Sequence, residues 1–202
     1  MGITPQQFKQ LEARLTRKNR VASPAVEQRI SGVIGRHETI LGVDPSLRGT
    51  GYGVIQLGKP NHSVLAQGTI SCPAAWEHSR CLVRIVQTLR EIIGKHRPSV
   101  CAIEGLYFAQ NLQTALIMGE ARGASLATVA EAGLDIYELA PRKVKQAIVG
   151  FGGAQKLAVA KMVQRMLRMT ELPTPDAADA LALALAHANE SSRYSFAQPK
   201  KI

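Results

Sequence analysis

The stretch Ile40 to Leu57, ILGVDPSLRGTGYGVIQL, constrains the fold more than any other. Its apolar run Ile40, Leu41, Val43 leads directly into a carboxylate, Asp44. Pro45 and a Ser/Arg/Gly/Thr/Gly turn follow, and a second apolar run begins at Tyr52. The pattern is strand, tight turn, strand, with an acid at the tip of the first strand. A charge at the end of a buried strand is costly unless something cationic offsets it, so Asp44 calls for an arginine, a capped backbone or a metal ion.

Downstream, the same construction recurs. A helix expected over about Ala74 to Lys95 carries Leu82, Ile85, Val86, Leu89, Ile92 and Ile93 on one face, as a helix covering a sheet does. Ser63 to Ser71 precedes it as a strand, and Val100 to Ile103 follows as a short, wholly apolar strand that also ends in an acid, Glu104. A further helix over about Leu112 to Ala132 contains Gly119 and Gly123, expected to sit where another backbone approaches closely. Asp135 to Leu139 is the fifth strand. Arg142, Lys143 and Lys145 then lead to Gly150-Phe151-Gly152-Gly153, expected as a flexible basic loop, and Val159, Met162, Val163 and Met166 stripe a shorter helix. The last element, DAADALALALAHAN from Asp176 to Asn189, is a strong helix former. Its two leading aspartates, Asp176 and Asp179, stand three residues apart and so share a face.

Taken singly, each acid has an ordinary explanation as a turn former, ion-pair partner or helix cap. Together, four acids attached to apolar segments make sense as oxygen ligands for hard divalent cations, which leave positions open for water and phosphate oxygens. Two such ions serve in-line displacement at phosphorus. The charge balance agrees: 25 Lys and Arg face 15 acids, a net of +10, which favours a polyanionic partner, nucleic acid first. The three cysteines, Cys72, Cys81 and Cys101, lack metal-ligand spacing and are expected as reduced core-packing residues, and His187 is expected to pack in the core or at the surface. Neither a membrane-length apolar run nor a secretory leader is found, so the expectation is a soluble, cytoplasmic protein without membrane contact.

Residues 1–38 form a separate basic extension with a helix expected from about Pro5 to Lys18; through residue 39 the segment carries seven Lys and Arg against three Glu. Residues 39–189 are the expected catalytic domain, and 190–202 a flexible basic tail.

The segments ILGVDPSLRGTGYGVI, CAIEGLYFAQNLQTALIMGEARG, RKVKQAIVGFGGAQK and PDAADALALALAH resemble, in order and spacing, those of the RuvC family of crossover (Holliday) junction endodeoxyribonucleases, over about residues 39 to 189. The resemblance implies an α/β, ribonuclease-H-like fold: a central five-stranded mixed sheet flanked by helices, with acids from the first strand, the fourth strand and the last helix meeting at one site. It further implies Asp44, Glu104, Asp176 and Asp179 as catalytic metal ligands for two Mg²⁺ ions, with Mn²⁺ able to substitute. Lys145 and Lys156 match basic residues near the cleaved strand, Tyr107 matches an aromatic that stacks on an unpaired base, and Asn111 and Arg122 fall among the DNA-contacting positions. Arg122 contacts the DNA backbone or pairs with an acid; the sequence leaves both open. Also implied are a homodimer, paired symmetric nicks that leave 5′-phosphates on four-way junction DNA, and RuvA and RuvB as branch-migration partners. The turn departs from the family, with Asp-Pro-Ser where Asp-Pro-Gly is usual. The competing readings are a ribonuclease-H-like nuclease acting on RNA or other branched DNA, and a junction binder that does not cleave. An actin-like kinase, which shares the strand-turn-strand, would need a second such domain.

Overall fold

The computed structural model describes residues 38–105, 111–191 and 200–202. The chain divides into two units, Met1–Arg36 and His37–Ile202, and every described residue belongs to the second. The helix expected from Pro5 to Lys18 lies outside the described residues, as does Tyr107.

Three antiparallel strands open the domain: β1 (Thr39–Asp44), β2 (Gly49–Gln56) and β3 (Ser63–Ser71). Helix α1 (His78–His96) returns the chain so that β4 (Val100–Glu104) pairs parallel to β1. Helix α2 (Leu112–Glu131) leads to β5 (Asp135–Leu139), parallel to β4. Helices α3 (Pro141–Val149), α4 (Lys156–Met166) and α5 (Pro175–Ser191) follow, and β6 (Lys200–Lys201) closes the edge antiparallel to β5. The sheet order is β3-β2-β1-β4-β5-β6.

The sheet therefore has six strands where five were expected. The extra strand comes from the basic tail: Lys201 pairs with Asp135 at 2.8 Å, and the Ile202 amide donates to the Ile136 carbonyl at 3.0 Å. The segment expected to run as a basic approach to a loop is instead helix α3. Pro141 starts it without losing a needed N–H, and Val144 and Ile148, four residues apart, bury its inner face. Helix α1 begins later than expected, because residues 73–76 form a turn in which the Trp76 amide donates to the Pro73 carbonyl.

Strand alternation divides the core into two layers. Leu41, Val43, Val54 and Ile103 face α1 and α2, meeting Ile85, Leu89, Ala121 and Val129. Ile40, Ile55, Val100 and Ala102 face α5, meeting Leu181 and Leu185, with α3 and α4 packed outside it. Both faces are covered, which is why β4 reads as continuously apolar.

Helix α5 lies directly on β1 and β2 because three strand glycines admit it. A Cβ at Gly42 would overlap the Ala180 carbonyl oxygen, one at Gly51 the Asp176 carbonyl oxygen, and one at Gly53 would come within 2.7 Å of the Leu181 side chain. Gly119 and Gly123 do not play that role, contrary to expectation: an added Cβ at either meets nothing within 4 Å. Both sit on a face of α2 that no other described element covers.

Cys72, Cys81 and Cys101 are buried and free, as expected. His187 is also in the core, 3% exposed, with its ring 4.7 Å from that of Tyr137. Among the described residues no helix is long and apolar enough to cross a membrane.

Candidate active site

Parity along the strands decides which way the acids point. On β1, Ile40, Gly42 and Asp44 share the face toward α5; on β4, Val100, Ala102 and Glu104 do. Val43 pairs with Ile103 in the parallel register, so Asp44 and Glu104 emerge side by side at the carboxyl ends of neighbouring strands. Ligands of open α/β sheets bind at that edge.

The third acid arrives through a glycine. Asp44 pairs with Gly51 across the hairpin, and Gly51 is the position where the Asp176 backbone rests on the sheet. The Asp176 carboxylate lies 3.0 Å from where a Cβ at Gly49 would stand. Asp179, one turn on, receives Lys156 Nζ at 2.9 Å. Thr69 and Thr174 hydroxyls, 3.1 Å apart, tie the approach of α5 to β3. The departure in the turn is accommodated locally: Thr50 Oγ1 donates to the Ser46 carbonyl at 2.6 Å and accepts from the Ser46 amide at 3.2 Å.

Charge is crowded here. Burial raises the Asp44 carboxyl above its ordinary range, a hydrogen bond from Glu104 pulls it back, and Asp179 and Asp176 push it further up against the opposing pull of Lys156. Glu104 is pushed up to about 8, first by burial and then by Asp44. Both shifts favour a proton held between the two carboxyls. Lys156 is raised, chiefly by its bond to Asp179.

The four acids named from the sequence occur together at one end of the sheet. Their donors are all oxygen, the chemistry hard divalent cations select, and a shared proton and an ammonium already supply positive charge among them. As they stand, the described residues present no group of three or more His, Cys, Asp or Glu side chains arranged to hold an ion.

The other expected contact residues are carried by α2, α3 and α4. Lys145 is half-buried on α3, and Lys156 is exposed at the start of α4. Asn111 is the N-cap of α2, its Oδ1 accepting from the Thr114 amide at 2.8 Å, a role the sequence reading missed although Asn followed by a helical run signals it. Of the two roles left open for Arg122, the structure shows the pairing with an acid. Arg122 is only 13% exposed, pairs with Glu138 of β5 and donates to the Glu104 backbone carbonyl. Its partner lies on a strand that sequence spacing alone does not bring near.

The family described as "Crossover junction endodeoxyribonuclease RuvC" matches this chain over residues 40–187. The chain belongs to the RuvC family. Members from Halorhodospira halophila and Akkermansia muciniphila are 45% and 44% identical over 153 and 148 residues, covering 76% and 73% of this chain and 91% and 89% of theirs. Among solved structures, RuvC of T. thermophilus in complex with Holliday junction substrate superposes with a TM-score of 0.74 at 34% identity, covering 81% of this chain and all of that one. The yeast mitochondrial Holliday junction resolvase Ydc2, at 12% identity and a TM-score of 0.57 over 85% of this chain and 89% of its own, shares the fold. The matched region begins at β1 and ends in α5, so it contains all four acids. The ribonuclease-H-like architecture expected from the sequence is present, its sheet edged here by β6.

Proposed function

We propose that this chain is a crossover junction endodeoxyribonuclease that resolves four-way DNA junctions by paired, symmetric phosphodiester hydrolysis. One observation carries the reading: Asp44 and Glu104 stand side by side at the carboxyl ends of β1 and β4, with Asp176 and Asp179 brought over them by α5. A protein that only bound DNA would gain nothing from a cluster of negative charge facing a polyanion.

The family is metal-dependent, and in this reading Asp44, Glu104, Asp176 and Asp179 hold two Mg²⁺ ions. Bound there, divalent ions supply an activated water and charge stabilisation for the leaving oxygen. The chain's own groups do the rest. With ions held there, Asp44 and Glu104 would both serve as carboxylates and Lys156 would be free of Asp179. The Lys156 ammonium, on an exposed stem, then reaches a phosphate oxygen of the bound strand, and Lys145 holds the backbone from α3. Arg122 keeps the end of β4 fixed by bonding the Glu104 carbonyl, so that its carboxylate stays in line with Asp44. Tyr107 supplies a stacking face for an unpaired base.

Two junction strands need two sites, and the open face of α2 supports a homodimer. Leu112 and Leu116 are 76% and 60% exposed, and Gly119 and Gly123 continue the same stripe without obstruction. Leu116→Asp should leave the chain monomeric by sedimentation at concentrations where wild type is a dimer. Action alongside RuvA and RuvB in a cytoplasmic recombination pathway belongs to the same reading.

The test is cleavage of a labelled four-way junction against linear duplex, with Mg²⁺, Mn²⁺ or chelator, for wild type and Asp44→Asn. Metal-dependent nicking of the junction alone, lost in the variant while binding persists, is expected. Cleavage of RNA or linear DNA instead, or binding without cleavage under any metal, would overturn the reading.

A further inference from the structure

The turn between α3 and α4, residues 150–155, is built around two glycines whose vacant faces are filled by side chains. At Gly152 an added Cβ would collide with the aliphatic stem of Arg142 and lie 3.2 Å from its Nε; at Gly153 one would stand 2.8 Å from two ring atoms of Phe151. The Arg142 stem and the Phe151 ring therefore lie against adjacent backbone positions of the same turn. The turn is not a loose loop. Gly150 takes a left-handed φ of 85° and donates to the Gln146 carbonyl at 2.9 Å, and the buried Ala154 donates its amide to the Phe151 carbonyl at 3.2 Å. With one side of its ring against Gly153, Phe151 still leaves 67% of itself in water.

An isolated exposed apolar residue needs no explanation. This one sits in a particular setting. Residues 141–161 carry Arg142, Lys143, Lys145, Lys156 and Lys161 and no acid, and Lys156, five residues beyond the ring, reaches Asp179 in the acid cluster. An aromatic face held beside an arginine on a uniformly basic segment is what binds unpaired nucleic acid: bases stack on the ring while cations take the backbone.

We infer that the α3–α4 turn is a DNA-contacting surface at the rim of the acid cluster, where the Phe151 ring stacks on an unstacked base of the junction strand and Arg142 takes a neighbouring backbone phosphate. This rests on the junction-cleaving reading above. It adds a base contact distinct from that of Tyr107, on a different segment, and it needs no bond made or broken.

The experiment uses the full chain in an Asp44→Asn background, so that junctions stay intact. Equilibrium binding to four-way junctions with 2-aminopurine at successive positions flanking the crossover is measured over a salt series, for the parent, Phe151→Ala, Phe151→Trp and Arg142→Ala. Phe151→Ala should weaken junction binding about tenfold. It should do so at every salt concentration, with unchanged salt slope, and abolish the 2-aminopurine quench at one position. Phe151→Trp should retain both affinity and quench. Arg142→Ala should lower the salt slope by about one. Unchanged affinity and fluorescence in Phe151→Ala, with a parent that prefers junction over linear duplex, would overturn this inference and leave the junction reading intact. A change of oligomeric state in Phe151→Ala, in place of a lost base signal, would also overturn it, by assigning the ring to protein contact. A parent that does not prefer the junction would overturn both.

Discussion

Replacing Glu104 by glutamine should stabilise the metal-free protein, and by an amount that depends on pH in a defined direction. The Glu104 carboxyl rises from an ordinary 4.5 to about 8 in the folded chain, through burial and the neighbouring Asp44. Between those values the folded state keeps a proton that the unfolded chain has released, so stability must fall as pH rises through this window; below 4.5 both states are protonated and no such loss exists. At about 1.4 kcal/mol per pH unit, the interval corresponds to at most about 5 kcal/mol for the coupled pair. The substituted amide would keep a donor for Asp44 but could not ionise. In chelator, urea denaturation at intervals from about pH 5 to about pH 9 should show wild type losing several kcal/mol relative to Glu104→Gln, most of it by about pH 8. With saturating Mg²⁺ the loss in wild type should shrink, because bound cations replace the shared proton, while the variant gains less. Parallel stability curves for the two proteins across that range would refute the argument that this pair holds a proton between its members.

Lys156→Ala removes an ammonium that is itself largely exposed, so it should cost under about 1 kcal/mol in denaturant titrations, yet slow single-turnover junction cleavage about 100-fold if it meets a phosphate oxygen in the transition state. Gly51→Ala forces a Cβ into the Asp176 carbonyl and should cost about 1–3 kcal/mol by thermal melting and impair cleavage, whereas Gly123→Ala, facing open space, should stabilise the monomer unit by about 1 kcal/mol. Arg122→Ala strands the Glu138 carboxylate, 18% exposed, and should cost about 3 kcal/mol in the same melts; Arg122→Lys should restore part of the stability and, if β4 is held in place, part of the cleavage rate.

The strands and their acids were legible because the signal is local. An apolar run that stops at a carboxylate states both the strand and the direction of its tip, and this identified Asp44 and Glu104 without any knowledge of their neighbours. The i, i+3 spacing of Asp176 and Asp179 gave their common face for the same reason. Helix α3 was hidden because Arg142, Lys143 and Lys145 dominate its composition, while only Val144 and Ile148 record its buried side. Strand β6 was hidden by the same weighting: two lysines in a basic tail carry no β signal, and their strand exists through pairing with β5 and the contact of Lys201 with Asp135. The role of Arg122 depends on Glu138, which comes near only after β5 has docked beside β4.

The glycines show where local reading must fail. In a helix, Gly119 and Gly123 look like concessions to a close neighbour, since glycine weakens the helix that carries it; yet the described fold leaves them open. In β1 and β2, Gly42, Gly51 and Gly53 look like turn and strand punctuation, and they are where α5 rests. Nothing in Ile40 to Leu57 reveals that a helix so much later in the chain, beginning at Pro175, will need that space. This seat has a consequence for chemistry. At Gly42 and Gly51 helix α5 lies on the sheet backbone to backbone, so the position of its first turn relative to β1 is set by close backbone approach rather than by adaptable packing. Asp176 and Asp179 are thereby held over Asp44 and Glu104 despite the mutual repulsion of four acids. A looser seat would let that repulsion push α5 away and disperse the site; the same glycines that make the helix fit are what make so crowded a cluster of charge possible.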